Sequence, residues 1–313
     1  MPTSLAAGIE VEGVVKRFGD HAALDGVSFG VDTGEVVGLL GPNGAGKTTA
    51  INILSTLLRP DAGTARVAGH DVVADPDAVR RSISLTGQFA ALDEVLTGFE
   101  NLVLFGRLRE LPRDAARSRA GELLDRFSLA DAGDQPVSTY SGGMRRRLDL
   151  AASLVVPTPV LFLDEPTTGL DPRSRSELWG VVRELRDAGL TVVLTTQYLE
   201  EADQLAERIV VIDLGEVVAE GTPDELKQRA GGQACVVAPV DASRLDEVAQ
   251  RLSDLGEVVV DHELGTATLP DTGPALLTEV LRRLGDAGIE VADVSLRRPT
   301  LDEVFLQLTE ASS

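Results

Sequence analysis

Almost continuous apolar runs separate the polar segments in the first part of the chain. Three such runs cover residues 35–40, 159–163 and 190–196. Apolar runs of this length are typical of strands that are buried on both faces of a parallel sheet. Residues 9–15, which alternate between polar and apolar, and residues 23–31 predict two further strands. The pattern therefore predicts an α/β unit.

A helical segment interrupts this unit. From about residue 89 to residue 157 the apolar positions recur at helical rather than strand spacing. Leu102 with Phe105, and Leu123 with Phe127, are two examples of this spacing. We therefore expect a helical subdomain inserted within the α/β unit.

A small-residue linker at 230–232 suggests a domain boundary. We expect a flexible N-terminus over residues 1–8, a first domain over 9–230 and a second domain over 231–313. The second domain reads as strand, helix, strand, strand, helix and strand, which is the order of a small α+β, ferredoxin-like domain.

A final helix is predicted to begin after Thr300, whose hydroxyl forms a capping box with Glu303. Leu301, Val304, Phe305 and Leu308 then line one face of this helix. We expect that apolar face to pack on the chain's own core, and a docking surface for a partner is the alternative.

Composition excludes several classes of protein. The chain has 313 residues with a formal net charge of -21 and 4% aromatic residues, so binding to nucleic acid is not expected. It has one cysteine, which fits a reducing compartment. No apolar run approaches the roughly 18 to 20 residues that cross a bilayer. We therefore expect a cytoplasmic protein unless a partner holds it at a membrane.

A glycine-rich loop lies between a predicted strand and a predicted helix. Its glycines let backbone N–H groups converge on an anion, and the helix adds the positive end of its dipole. A lysine and a hydroxyl residue then follow, as a phosphate-binding loop requires. A plain glycine-rich turn with a surface lysine is disfavoured by the order of strand, loop and helix. The loop consists of Gly41, Pro42, Asn43, Gly44, Ala45, Gly46, Lys47 and Thr48.

Two adjacent carboxylates, Asp164 and Glu165, end the apolar run 159–163. A buried strand cannot satisfy both carboxylates, so a cation or a reacting water is the natural explanation. With a phosphate loop upstream, Asp164 is expected to hold Mg²⁺, and Glu165 to accept a proton from the water that attacks the γ-phosphate. A solvated strand end is the weaker interpretation.

Polar residues also follow two other predicted strands. Gln88 comes directly after the strand near 82–86, and Gln197 lies at the carboxyl end of the run 190–196. A polar side chain at the carboxyl end of a parallel strand faces the crevice where ligands bind. We therefore expect Gln88 in that crevice.

A second helix start resembles an anion site. Ser141 is suited to cap a helix that begins with Gly142 and Gly143, and glycines there leave the first backbone N–H groups bare. The spacing alone favours a simple capped helix with a basic, exposed face.

Together and in this order, these motifs resemble the nucleotide-binding subunits of ABC transporters over residues 9–229. The segments 140–152, 195–202 and 299–305 are similar to the daunorubicin-resistance type of antibiotic-export ATPase. The resemblance implies a P-loop NTPase fold, with an antiparallel β subdomain and a helical subdomain. It also implies a homodimer on the cytoplasmic face of the membrane that powers export through a separate, integral membrane permease.

The resemblance also implies a role for each matching position. Phe18 would stack on adenine, and Gln88 would sense Mg²⁺ and water while contacting the permease. Ser141, Gly142 and Gly143 would close on ATP held by the other protomer, and Asp171 would lie in the loop that crosses the dimer interface. Nucleotide would also contact the loop from Gly41 to Thr49. The implied catalytic residues are Glu165, Lys47, Gln88 and Gln197, and the implied Mg²⁺ ligands are Thr48, Gln88 and Asp164.

Three positions depart from the commonest superfamily pattern: Phe18 stands where Tyr is usual, Met144 where Gln is usual, and Gln197 where His is usual. An amide at 197 can donate a hydrogen bond but cannot carry a proton. We therefore expect Glu165 alone to act as base and Gln197 to position the phosphate.

Two other functions remain open from the residues. A soluble ATP-gated clamp on nucleic acid or ribosomes usually carries two ATPase units in one chain, whereas one phosphate loop occurs here. A regulator that binds ATP without turnover is disfavoured by Glu165.

Overall fold

A computed structural model describes residues 7–87, 92–229, 233–269, 274–297 and 300–310. The chain divides into two compact units, Met1–Thr222 and Pro223–Ser313. The division falls before the linker at 230–232. The helix that follows Thr222 therefore belongs to the second compact unit.

The first unit contains ten strands and seven α-helices among its described residues. In chain order they are β1 (Ala7–Phe18), β2 (His21–Asp32), β3 (Val36–Leu40), α1 (Lys47–Leu54), β4 (Ala62–Val67), β5 (His70–Asp71), α2 (Pro76–Ser82), β6 (Ile83–Thr86), α3 (Gly98–Leu108), α4 (Arg113–Arg126), α5 (Gly142–Ser153), β7 (Val160–Asp164), α6 (Pro172–Asp187), β8 (Thr191–Thr196), α7 (Leu199–Leu205), β9 (Arg208–Asp213) and β10 (Glu216–Gly221).

Two sheets form the framework of this unit. Four antiparallel strands are ordered β2-β1-β4-β5, and six strands are ordered β10-β9-β3-β8-β7-β6. In the larger sheet every neighbouring pair is parallel except β10 with β9. The carboxyl ends of β3, β7 and β8 therefore lie side by side, which is where a parallel sheet places its ligand site.

The larger sheet separates two apolar cores. On β7, Leu161 and Leu163 pack with α3 to α6, whereas Val160 and Phe162 pack with α1 and the antiparallel sheet. Because successive strand residues point to opposite faces, one continuous apolar run supplies both cores. The predicted α/β unit and its helical insertion are confirmed.

Two short helices, α2 and α7, were not predicted. Each spans seven residues, which is too short for helical periodicity to show. For α2 a signal was present, since Asp75 caps the helix and Pro76 occupies its first turn.

The second unit contains α8 (Pro223–Arg229), β11 (Ala234–Pro239), α9 (Leu245–Leu252), β12 (Val259–Asp261), β13 (Thr266–Leu269), α10 (Pro274–Asp286), β14 (Val291–Arg297) and α11 (Leu301–Glu310). Its sheet is antiparallel with the order β12-β13-β11-β14. That is the strand order of the split βαβ arrangement, so the ferredoxin-like prediction is confirmed.

The last helix begins as predicted. Thr300 Oγ1 accepts a hydrogen bond from Glu303 N at 3.3 Å, and Glu303 Oε2 accepts one from Thr300 N at 2.9 Å. Leu301 and Val304 are buried, and α11 contacts α8 of the same unit. Leu301 and Val304, on the apolar face of α11, therefore pack within this chain. Among the described residues, no helix is both long enough and apolar enough to span a bilayer.

Candidate nucleotide-binding site

The glycine-rich loop connects β3 to α1, and the first turn of α1 has no side-chain cap. Gly46 precedes the helix with φ 111°, and no side chain accepts a hydrogen bond from the first turn. A Cβ at Gly46 would lie 2.4 Å from the carbonyl oxygen of Ala23, so no other residue fits. The N–H groups at the start of α1 are thus left for an anion.

Lys47 is held against the loop that precedes it. Its Nζ donates hydrogen bonds to Gly41 O at 2.8 Å and to Pro42 O at 3.0 Å, and the residue is only 5% exposed. Burial lowers the pKa of Lys47, while the nearby carboxylates of Glu165 and Asp164 oppose that change. A buried ammonium group beside uncapped N–H groups makes the loop strongly attractive to phosphate.

Asp164 lies where a metal ligand was predicted, at the end of β7. Its Oδ1 accepts a hydrogen bond from Thr195 Oγ1 at 2.5 Å, and Thr48 Oγ1 lies 3.4 Å from the same oxygen. The carboxylate of Asp164 and the hydroxyl of Thr48 thus meet beside the phosphate loop. Both are oxygen donors of the kind that Mg²⁺ takes beside substrate phosphates.

Glu165 has an unusual backbone conformation. Its φ is 48°, in the left-handed region that non-glycine residues avoid. The backbone N–H of Glu165 donates to Thr195 O at 3.1 Å and to Thr195 Oγ1 at 3.0 Å, and its Oε2 accepts from Thr168 Oγ1 at 3.2 Å. A strained residue held by several hydrogen bonds at a ligand site is a recurrent feature of active sites.

Thr195 was missed by sequence reasoning. Strands β7 and β8 are paired so that Asp164 lies opposite Thr195, and the Thr195 hydroxyl therefore reaches both Asp164 and the amide of Glu165. The available signal was that the apolar run 190–196 ends in two threonines, and that the carboxyl ends of parallel strands lie at the same edge of a sheet.

The predicted second anion site lies at the start of α5. Ser141 caps this helix, since its Oγ accepts a hydrogen bond from Met144 N at 3.2 Å. Gly143 is buried against Ser174, where a Cβ would lie 2.3 Å from Ser174 Oγ. At Gly142 a Cβ would meet nothing within 4 Å, and both Ser141 and Gly142 are exposed.

Asp171 lies close to this helix start. It caps α6, accepting hydrogen bonds from Ser174 N at 3.0 Å and Ser174 Oγ at 2.6 Å. These hydrogen bonds, the hydroxyl's first, lower the pKa of Asp171. Because Ser174 also packs on Gly143, the starts of α5 and α6 adjoin.

The basic, exposed face expected on α5 is wrong for two of its arginines. The Arg147 side chain is 15% exposed. The Arg146 side chain is only 10% exposed. Sequence spacing missed this because the acceptors of Arg146 belong to segments that tertiary folding brings beneath the helix.

Two predicted residues, Phe18 and Gln197, take no part in these contacts. Phe18, at the end of β1, is 50% exposed, and Lys16 Nζ lies 5.7 Å from its ring centroid. Gln197 is exposed directly after β8. Gln88 lies outside the described residues.

The segment that carries Gln197 is followed by a buried carboxyl group. Glu201 in α7 is fully buried and accepts a hydrogen bond from Trp179 Nε1 at 3.1 Å. Burial raises the pKa of Glu201, while the nearby Thr196 hydroxyl, the hydrogen bond from Trp179 and the nearby Thr167 hydroxyl oppose the rise. Glu201 is therefore a buried polar residue four positions after Gln197, and the sequence analysis did not identify it.

The structure thus brings together Lys47, Thr48, Asp164 and Glu165 as one group, and Ser141, Gly142, Gly143 and Asp171 as another. In the part of the chain that the structure describes, no three His, Cys, Asp or Glu side chains cluster as a protein-only metal site. A metal at Thr48 and Asp164 would accordingly need phosphate and water oxygens as further ligands.

Comparisons with known proteins agree with this geometry. The family profile of the ABC transporter matches residues 24–168, and that of the DrrA1-3-like ATP-binding protein C-terminal domain matches residues 221–309. The chain is 59% identical to the daunorubicin resistance ATP-binding protein DrrA3 of Streptomyces coeruleorubidus, over 96% of this chain and 95% of that protein. It is 54% identical to the doxorubicin resistance ATP-binding protein DrrA of Mycobacterium tuberculosis, over 96% and 93% of the two chains.

Solved structures show the same fold. The structure of cbiO1 from Clostridium perfringens, part of an ABC transporter complex, aligns with a TM-score of 0.66 at 26% identity and covers 80% of this chain and 97% of that one. A dimeric ATP-binding cassette in a post-hydrolysis state, bound to ADP and Pi, aligns with a TM-score of 0.61 at 28% identity, over 68% and 98% of the two chains. The chain therefore belongs to the daunorubicin and doxorubicin resistance family of ABC transporter ATP-binding proteins, which are ATPases whose hydrolysis of ATP is coupled to transport.

Proposed function

We propose that the chain binds ATP at the loop from Gly41 to Thr49 and hydrolyses it with Glu165 as the general base. The uncapped start of α1, with Lys47 against it, is the observation that carries this proposal. Lys47 would shift from the carbonyls of Gly41 and Pro42 to the β- and γ-phosphates, where its charge opposes the negative charge of the transition state. Glu165 would accept the proton of the attacking water.

Thr48 and Asp164, with Gln88, would hold Mg²⁺. The fit rests on the 3.4 Å approach of the Thr48 hydroxyl to Asp164 and on the hard oxygen character of both groups. When bound, the ion would neutralise charge on the β- and γ-phosphates. The hydrogen bond from Thr195 to Asp164 would keep that carboxylate aimed at the site.

Phe18 and Gln197 would contact the two ends of the nucleotide. The exposed ring of Phe18 offers a flat surface for adenine. Gln197 would donate a hydrogen bond to the γ-phosphate through its amide, leaving proton transfer to Glu165.

A second copy of the chain would complete each site. In the proposed homodimer, Ser141, Gly142 and Gly143 of one protomer close on the ATP that the phosphate loop of its partner holds, and Asp171 lies beside them. Two observations support this arrangement. Ser141 and Gly142 face solvent, and the chain's own packing does not require a glycine at 142.

Hydrolysis would power export of a daunorubicin-like compound through a separate, integral membrane permease. The support is the naming of relatives that are 52–59% identical over nearly the whole chain as daunorubicin or doxorubicin resistance proteins. The protein would then lie on the cytoplasmic face of the membrane, held by the permease through contacts that include Gln88. The two domains proposed from the sequence would be an ATP-binding domain and an accessory domain.

A clamp acting on nucleic acid or ribosomes is not favoured, because these relatives are resistance proteins and the net charge is -21.

The experiment that tests this function combines co-purification with drug efflux. Tagged chain is recovered from gently solubilised membranes of its source cells, and the membrane protein that accompanies it is co-expressed with it in a drug-sensitive host. Efflux of fluorescent doxorubicin is expected from cells with the wild-type chain and not from cells with Glu165→Gln. Recovery of ribosomes or RNA instead of a membrane protein would support the clamp, and full turnover by Glu165→Gln would refute the assigned base.

A further inference from the structure

Arg146 uses every hydrogen-bond donor that its guanidinium possesses. Nε donates to Pro166 O at 2.7 Å, and Nη1 donates to Gly87 O at 2.6 Å and to Asp149 Oδ2 at 3.4 Å. Nη2 donates to Asp164 O and to Glu165 O, each at 3.2 Å. An arginine has five N–H donors in a fixed plane, and here each has an acceptor.

Four of the five acceptors are backbone carbonyl oxygens of segments that belong to the proposed ATP site. Asp164, Glu165 and Pro166 are consecutive, so their carbonyls converge on one cation. Gly87 is the residue directly before Gln88. A single side chain from α5 thus joins the strand end that carries the proposed base to the strand end that precedes the proposed Mg²⁺ sensor.

The convergence of these carbonyls matters because Glu165 is strained. A non-glycine residue at φ 48° persists only where its surroundings fix it. The backbone N–H of Glu165 donates a hydrogen bond to Thr195, and the carbonyl oxygen of Glu165 accepts one from Arg146. Thr168 also contacts Glu165, with its N–H 3.4 Å from the carbonyl and its hydroxyl 3.2 Å from the carboxylate. Without Arg146, the Glu165 carbonyl would keep only the longer hydrogen bond from Thr168 N, and the strained peptide that carries the carboxylate would be less firmly fixed.

The neighbouring arginines of α5 reach different parts of the molecule. Arg145 forms an ion pair with Glu94, with Nη1 3.0 Å from Glu94 Oε1. Arg147 donates to Phe127 O at 3.2 Å and lies 3.5 Å from Glu177 Oε2. Its side chain is 15% exposed, close to the 10% of Arg146. Arg147 is therefore a matched control: a buried arginine on the same helix that does not contact the catalytic strand end.

We propose that Arg146 is a positioning residue that couples the start of α5 to the proposed base, Glu165, of the same chain. The inference rests on the proposed function, in which a partner's ATP binds the start of α5. That ATP would fix α5, and through Arg146 it would fix the Glu165 backbone in the other site. ATP bound in one site of the dimer would thereby prepare hydrolysis in the second site.

Arg146→Lys tests this, because lysine keeps the charge but has three donors and no planar fork. Hydrolysis at saturating Mg·ATP, binding of a fluorescent ATP analogue and thermal melting are measured for the wild type, Arg146→Lys and Arg147→Lys. We expect Arg146→Lys to lower kcat about tenfold with analogue affinity within about threefold. We expect Arg147→Lys to keep kcat within about threefold, whatever it does to melting.

The decisive measurement is a double-mutant cycle with Glu165→Gln. If Arg146 acts through Glu165, adding Arg146→Lys to Glu165→Gln will lower the residual ATPase rate by no more than about twofold. Equal reductions in both backgrounds, or wild-type turnover of Arg146→Lys, would overturn the inference. A wild-type chain without ATPase activity, or Glu165→Gln with full turnover, would instead refute the proposed function on which it rests.

Discussion

The two glycine-rich helix starts of the first unit are built in opposite ways. At α1, Gly46 is wedged against the Ala23 carbonyl, the helix lacks a side-chain cap, and Lys47 folds back over the loop. At α5, Ser141 caps the helix, and Gly142 stands in open space. The start of α1 is an uncapped helix end enclosed by the loop from Gly41 to Lys47, which we call the cradle. The start of α5 is a capped helix end that is exposed on the surface.

This difference shows which site each helix start can serve. An uncapped start inside a loop leaves N–H groups available to an anion, so the phosphate site proposed at α1 does not depend on a partner. At α5 the Ser141 hydroxyl already accepts a hydrogen bond from the first turn. This exposed helix start would contact a phosphate only when a second protomer carries ATP to it. Two matched glycine substitutions give the largest expected effects on this comparison.

Gly46→Ala is expected to abolish ATP binding. The added Cβ would lie 2.4 Å from Ala23 O at a φ of 111°, so the loop must move. Steric overlap and backbone strain together cost about 3 kcal/mol. Binding of a fluorescent ATP analogue and the melting temperature check this. Normal binding at a normal melting temperature would mean that the cradle is not closed as described.

Gly142→Ala is the counterpart, and it should separate binding from turnover. A Cβ there meets nothing within 4 Å, so melting and analogue binding by the monomer should remain close to wild type. If a partner's nucleotide approaches this position, ATPase activity should fall about tenfold or more. Unchanged ATPase activity would remove the main support for the shared site.

Dilution tests the same comparison without mutation. If α5 serves a partner's site, specific ATPase activity must fall as the protein is diluted below the dissociation constant of the dimer. Activity measured over a wide range of concentrations should rise more than linearly with protein. Specific activity that stays flat, while gel filtration shows monomer, would assign the whole reaction to the cradle at α1.

Local patterns account for the parts of this site that the sequence predicted. The phosphate loop needs only consecutive residues between a strand and a helix, and Asp164 and Glu165 end one apolar run. In the second unit, each strand and helix has its own periodicity, and their order was sufficient for the ferredoxin-like arrangement.

Contacts between distant segments account for what the sequence did not predict. Thr195 meets Asp164 only through the pairing of β7 with β8. Arg146 is buried because carbonyls from Gly87 and from 164–166 converge on it, and its neighbours in sequence look the same. Helix α8 groups with the second unit because it contacts α11, far along the chain.

Ser141→Ala should have a smaller effect than either glycine substitution. Loss of an N-cap costs about 1 kcal/mol of stability. Thr97→Ala is the control, since Thr97 caps α3 through a capping box with Glu100 and the helix start has no proposed ligand. Both variants should melt earlier by similar amounts, but only Ser141→Ala should also lose ATPase activity, by a few fold. Equal activities would show that the cap at α5 serves only its helix.

Asp171→Asn should give the smallest effect, visible only as a change with pH. Asp171 caps α6 beside the start of α5, and the Ser174 hydroxyl and amide hold its pKa below the ordinary value of 3.8. A depressed folded-state pKa adds stability that is present above the ordinary value and is lost as the pH falls from that value through the folded-state pKa. Asparagine keeps an acceptor for the cap without the charge. The melting temperature of Asp171→Asn should therefore fall less steeply than that of the wild type between about pH 5 and about pH 2. Parallel curves would mean that the charge of Asp171 adds nothing to this helix start, and that α6, like α5, is held by a neutral cap.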